Sequence, residues 1–320
     1  MGVTVSSDMD RISLVDVTLR DGGYMNEHSW TRKDSAMVVE ACEQARILLC
    51  EVGYFRPRLH TAEGKSRPAY CSPPDYLVEL RERFPQVVMT VMARPADVEP
   101  ADYRALAEGG ASVVRFPATP RLLPDLGEHL AAAQDAGLRV TLNLIRVSEV
   151  APAQVRAAAE LAQRHRVDAF YLADSNGSLF PAQVTELFAL AAEATDVPLG
   201  FHAHDGLSLA FINSLTALEA GCRYLDASIG GVGKGGGNLS LELVAGYLRT
   251  RRNARFTMAP LTRVAPTVLR RCDRDAAARF DSMASGLLDL NMEETALVKN
   301  EERELVALVD ARPSGPVAAS

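Results

Sequence analysis

Short apolar, β-branched runs recur at a near-regular interval along this chain of 320 residues. They fall at 12–18 (ISLVDVT), 47–53 (ILLCEVG), 87–93 (VVMTVMA), 111–117 (ASVVRFP), 139–145 (RVTLNLI), 168–173 (DAFYLA), 199–204 (LGFHAH) and 224–229 (YLDASI). Their length and composition predict buried strands. Between them lie alanine- and leucine-rich segments with helical periodicity, such as 151–164 and 208–220. Gly137 and Gly221 stand where such helices must end just before the next strand.

Eight strand–helix alternations imply parallel strands joined by right-handed crossovers, and eight strands also close a barrel. An open doubly wound sheet would carry a glycine-rich phosphate turn after its first strand. Arg20-Asp21-Gly22-Gly23 stands there instead. The prediction is an α/β chain with a TIM (β/α)8 barrel over 1–255, a short helical C-terminal extension over 256–312, and a disordered tail over 313–320.

The bulk composition narrows the function. With 34 basic against 41 acidic residues the net charge is −7, which argues against nucleic acid or an anionic membrane as a partner. Residues 1–10 are polar and lack the apolar core of a signal peptide, and no apolar stretch nears the ~20 residues that span a bilayer. The five scattered cysteines read as free, mostly buried thiols of a reducing cytoplasm. A homodimer is the expected assembly.

Candidate chemistry begins with His202-Ala203-His204, which ends the seventh predicted strand. Residues at i and i+2 of a strand point to the same side, so both imidazoles face one volume. A metal site and a structural pair both fit that pattern alone. Arg20 and Asp21 stand where the first strand emerges, either as a surface ion pair or as a carboxylate ligand beside a cation that steadies an oxyanion. In a closed barrel, strands seven, eight and one are neighbours, and their C-terminal ends form one mouth. That convergence favours a metal centre.

The stretch Gly230 to Asn238 follows strand eight and precedes a helix beginning near Leu239. It suits close approach of backbone to an anion, with Lys234 adding positive charge. Glu51, in an otherwise apolar strand two, must be paired, and Arg20 on the adjacent strand is the natural partner. Arg115, Asn143, Asp174, Ser175 and Asn176 could line the same mouth. His60, His129 and His165 sit in polar contexts and are expected at the surface, as is the charged face around 301–305.

Three stretches together resemble the DRE-TIM metallolyase superfamily, which includes 3-hydroxy-3-methylglutaryl-CoA lyase, 4-hydroxy-2-oxovalerate aldolase and the isopropylmalate and homocitrate synthases. They are Leu14 to Gly22, the His202-x-His204 pair, and Gly233 to Glu242. The resemblance implies a divalent cation (Mn²⁺ or Mg²⁺, with Co²⁺ or Zn²⁺ as alternatives) held by Asp21, His202 and His204, with Asn238 as a fourth ligand. It also implies that Arg20 stabilises an enolate.

The chain looks closest to the aldolase branch, but those aldolases carry a histidine base where Tyr24 stands here. Tyr24 would then handle the proton, with His28 as the nearby substitute. Residues 256–320 do not resemble the region that couples such aldolases to a dehydrogenase, so that partner is not expected. The leading expectation is a metal-dependent lyase acting through the enolate of a 2-oxo acid such as pyruvate, with an aldehyde as the other partner. A Claisen-type acyltransferase using an acyl-CoA is the alternative. A binding protein that has lost its base is the third reading.

Overall fold

A computed structural model describes residues 12–61, 64, 66–252, 254–272, 285–286, 288–300, 305 and 308. Eight parallel strands close on themselves: β1 (Ser13–Asp16), β2 (Leu49–Tyr54), β3 (Val88–Met92), β4 (Val113–Ala118), β5 (Arg139–Ile145), β6 (Ala169–Asp174), β7 (Leu199–Ala203) and β8 (Tyr224–Ala227). Each pairs with the next, and β8 returns to β1 with Asp16 beside Ala227. Nearly every strand residue is buried, which explains why the strands read as continuous apolar runs rather than alternating ones.

The outer ring holds α1 (Arg32–Gln44), a short α2 (Pro68–Cys71), α3 (Pro74–Arg83), α4 (Asp102–Glu108), α5 (Leu123–Asp135), α6 (Pro152–His165), α7 (Pro181–Ala194), α8 (Ala210–Glu219) and α9 (Leu241–Arg252). The main core lies between this ring and the strands, with Val39, Leu77, Leu126, Phe188 and Val244 turned inward. Gly137 and Gly221, at φ of 83° and 97°, take the left-handed conformation that ends α5 and α8, as the sequence predicts. The helix after the glycine loop starts at Leu241, two residues past the expected Leu239.

Beyond the barrel, α10 (Ala259–Arg271) lies against α1, where Arg271 reaches Asp34 and the amide of Thr257 donates to the carbonyl of Ala45 (3.1 Å). A further helix, α11 (Met292–Asn300), borders the C-terminal mouth of the barrel. The expected tail over 313–320 and most of the charged face at 301–305 lie outside the described residues. Among the described residues, no helix is long and apolar enough to cross a membrane.

Candidate active site

Asp21, His202 and His204 meet at the mouth, each buried and offering one donor atom within 4.8 Å of the others. Asp21 follows β1 in the turn that opens the Gly22–Met25 3-10 helix, while His202 lies in β7 and His204 just past its end, bridged to Asn238. His202 Nδ1 lies 2.9 Å from Asp226 Oδ2, and His204 Nδ1 lies 3.2 Å from the Gly237 carbonyl. A carbonyl only accepts, and an ionised carboxylate does the same, so each Nδ1 carries the hydrogen. When both rings are neutral, their Nε2 lone pairs face one another at 3.2 Å. Two such lone pairs with no proton between them repel, and a shared cation resolves the conflict.

Asn238 adds a further donor. Its Nδ2 donates to Asp21 Oδ2 (2.8 Å) and to the Val232 carbonyl (3.0 Å), which leaves Oδ1 buried and without a partner. An orphaned oxygen beside a carboxylate and two imidazoles is what an N/O-ligated divalent cation would satisfy. The glycine loop shapes this wall. A Cβ on Gly233 would lie 2.3 Å from Asn238 Nδ2 and 2.8 Å from Asp21 Oδ2, so only glycine fits. The anion its backbone approaches is Asp21 itself, 3.3 Å from the amide of Lys234.

A buried ionic chain supports these groups. Arg20 Nη1 binds Asp21 Oδ1 (2.6 Å) while its Nε binds Glu51 Oε2 (2.7 Å). Arg115 then joins Glu51 Oε2 (3.3 Å) to Asp226 Oδ2 (2.6 Å), which reaches His202. Burial would raise the Asp21 carboxyl, but Arg20 beside it and the two imidazoles hold it well below the usual carboxylate range. Asp226 is likewise burial-strained yet kept low by Arg115 and His202. Burial pushes His204 down to about 3, so it stays neutral at physiological pH.

Asp21, His202 and His204 open onto a cavity of about 430 Å³. Of the residues singled out by sequence, Arg20, Asp21, Tyr24, Asn143, Ser175, His202, His204 and Lys234 line it. Tyr24 is 42% exposed, and its hydroxyl shares a 2.8 Å hydrogen bond with that of Tyr54. Burial pushes the Tyr54 phenol far up, so it stays protonated.

Other expected residues stand elsewhere. Arg115 does not face the cavity but lies one layer deeper, 1% exposed, against the Tyr171 ring. Glu51 is fully buried and reaches the site only through Arg20 and Arg115. Asp174 turns away to accept the amides of Ser178 and Leu179, and Asn176 binds Ser148, Glu149 and Asp289. His28 packs behind Tyr24 with its ring 5.1 Å away, and burial with Arg56 and Arg20 nearby lowers it to about 4. His60, His129 and His165 are half-buried rather than exposed; His60 faces the Cys71 carbonyl and His129 the Tyr103 hydroxyl. Their polar sequence neighbours conceal these loop and helix contacts. All five cysteines are free and buried, as expected.

Sequence reasoning missed Asp226, Tyr54, Arg146 and Glu293. Asp226, a carboxylate in an apolar strand, carries the same signal that marked Glu51. Asp226→Asn is expected to weaken divalent-metal affinity by about 10–100-fold, because the orientation of His202 is lost. Equilibrium dialysis against Mn²⁺ checks this, and an unchanged affinity would restrict Asp226 to holding Arg115.

Residues 121–268 match the family model described as HMGL-like. The 4-hydroxy-2-oxovalerate aldolase of Carboxydothermus hydrogenoformans is 31% identical over 245 residues, spanning 74% of this chain and 70% of the relative. That of Roseiflexus sp. (strain RS-1) is 31% identical over 244 residues, spanning 75% and 71%. Among solved structures, the N-terminal domain of a putative aldolase from Bacteroides vulgatus superposes with a TM-score of 0.80 at 24% identity, covering 94% of this chain and 100% of that one. The carboxyl transferase domain of Rhizobium etli pyruvate carboxylase with pyruvate gives 0.72 at 18% identity, covering 92% and 53%. At such identities the two structures show the barrel fold alone.

Proposed function

The chain belongs to the HMGL-like family, as a metal-dependent carbon–carbon lyase of its aldolase branch, and on that premise we propose that it makes or breaks the bond beside the enolate of a 2-oxo acid such as pyruvate. The observation that carries this reading is the convergence of the two histidine Nε2 atoms, 3.2 Å apart, with Asp21 and the orphaned Asn238 oxygen. Asp21, His202 and His204, with Asn238, would hold Mn²⁺ or Mg²⁺. Such an ion would supply Lewis-acid polarisation of the bound 2-oxo acid.

The chain's own residues do the rest. Arg20 is locked through Nε and Nη1, and its Nη2 forms no bond among the described residues, so it is placed to donate to the oxygen on which enolate charge grows. Arg20 is charged throughout, because Glu51 and Asp21 outweigh its burial. Tyr24, at the same mouth, handles the proton. The aldolase relatives support an aldehyde acceptor rather than an acyl-CoA. Five buried thiols support a reducing, cytoplasmic setting.

Exchange of pyruvate methyl protons in deuterated water tests the reading. Exchange should need added Mn²⁺ and stop on chelation; a Mn²⁺-loaded protein that exchanges nothing would exclude a pyruvate enolate. Arg20→Lys is expected to lower kcat by about 10²–10³, since a compact ammonium cannot reproduce the planar fork that spans Glu51 and Asp21 while aiming a third N–H at the substrate. Near-normal turnover of that variant would contradict the assigned role.

A further inference from the structure

The cavity carries more positive charge than a 2-oxo acid at the metal end requires. Besides Arg20, the side chains of Arg94, Arg146 and Lys234 face it. Arg94 is satisfied by Asp97 through two bonds of 2.6 and 2.9 Å. Arg146 and Lys234 are not held in that way. Lys234 forms no side-chain hydrogen bond or close ion pair among the described residues, although it is half-buried. The counter-ion of Arg146 is Glu293 (2.6 Å), whose side chain is 66% exposed. An ion pair so open to water is easily exchanged for another carboxylate.

Glu293 arrives from outside the barrel. It stands in the first turn of α11, and the preceding Asp289 ties that segment down by accepting from Ser148 (2.8 Å), Asn176 (3.0 Å) and Ser178 (2.6 Å). A protein carboxylate is thus paired with Arg146 in the cavity that Lys234 also lines. Met92, Pro117 and Ile145 are among the apolar residues that line the same cavity.

We propose that the acceptor aldehyde carries a carboxylate, and that Arg146 and Lys234 hold this carboxylate at the position Glu293 borders. The inference rests on the 2-oxo acid reading above and names its second substrate. The reaction balances without a further reagent. A proton leaves C3 of the 2-oxo acid, C3 bonds to the aldehyde carbon, and the aldehyde oxygen gains a proton. The product is a 4-hydroxy-2-oxo dicarboxylate.

Two acceptor pairs test this with the Mn²⁺-loaded enzyme and pyruvate: glyoxylate against acetaldehyde, and 4-oxobutanoate against butanal. In at least one pair, kcat/KM should favour the carboxylate by about 10–10²-fold, the worth of a charge-assisted hydrogen bond. Arg146→Gln should erase that preference mainly through KM. Glu293→Gln should lower KM for the carboxylate, since the competing side chain is gone. Pyruvate proton exchange is measured alongside. Exchange with no preference in either pair overturns the carboxylate inference alone, whereas no exchange overturns the 2-oxo acid reading together with it. A preference that Arg146→Gln leaves intact also overturns the assignment.

Discussion

The double variant His202→Ala/His204→Ala is expected to retain the fold and lose the metal. Occupancy should fall from about one ion per chain to nearly none, because two of the three closest donors go at once. The fold should survive because neither deletion strands a buried charge. Without His202, Asp226 still binds Arg115 at 2.6 Å. Without His204, the Gly237 carbonyl still accepts the Asp205 amide at 2.8 Å. Elemental analysis of the purified variant, with near-ultraviolet circular dichroism to confirm native packing, decides the matter. Wild-type metal content in a natively packed variant would remove Asp21, His202 and His204 from the metal-holding role. Turnover and pyruvate exchange should vanish with the ion.

The barrel and the ends of this site were legible for a physical reason. Strands buried on both faces leave uninterrupted apolar runs, and helices covering them leave periodic ones, so all eight strands lie within about two residues of the expected runs. Closure of the ring then brings β7, β8 and β1 together without any further information. The Arg20–Glu51 pair was also legible, since a carboxylate in an apolar strand needs a cation on a neighbouring one.

Depth along the barrel axis was not legible. Arg115 and Asn143 both point inward, yet Asn143 pairs in register with Pro117 at the cavity floor, while Arg115 pairs with Thr141 one layer below. Sequence shows which face a strand residue takes but not how far the neighbouring strand is shifted. Glu293 left no signal at all, because its partner Arg146 lies 147 positions away in the chain.

Tyr24→Phe is expected to leave metal and 2-oxo acid binding intact and to cut turnover by about 10²–10⁴, the usual cost of losing an acid–base group. Only one oxygen is removed, and the ring keeps its edge-on contacts with His28 and Tyr54. The structure gives that oxygen a partner suited to proton transfer. Tyr54 stays protonated, so its hydroxyl can donate across the 2.8 Å bond to a Tyr24 oxygen that has released its proton. His28 is the weaker candidate. Held down near a pKa of about 4, it is neutral and able to accept, but its affinity for a proton is low for a carbon acid at neutral pH. Turnover and pyruvate exchange should therefore fall together in Tyr24→Phe. Should exchange persist while carbon–carbon bond formation fails, Tyr24 serves the aldehyde oxygen and a different group makes the enolate. Should both persist, the phenol only lines the wall. His28→Gln separates the remaining cases, because a base there would cost exchange even with Tyr24 in place.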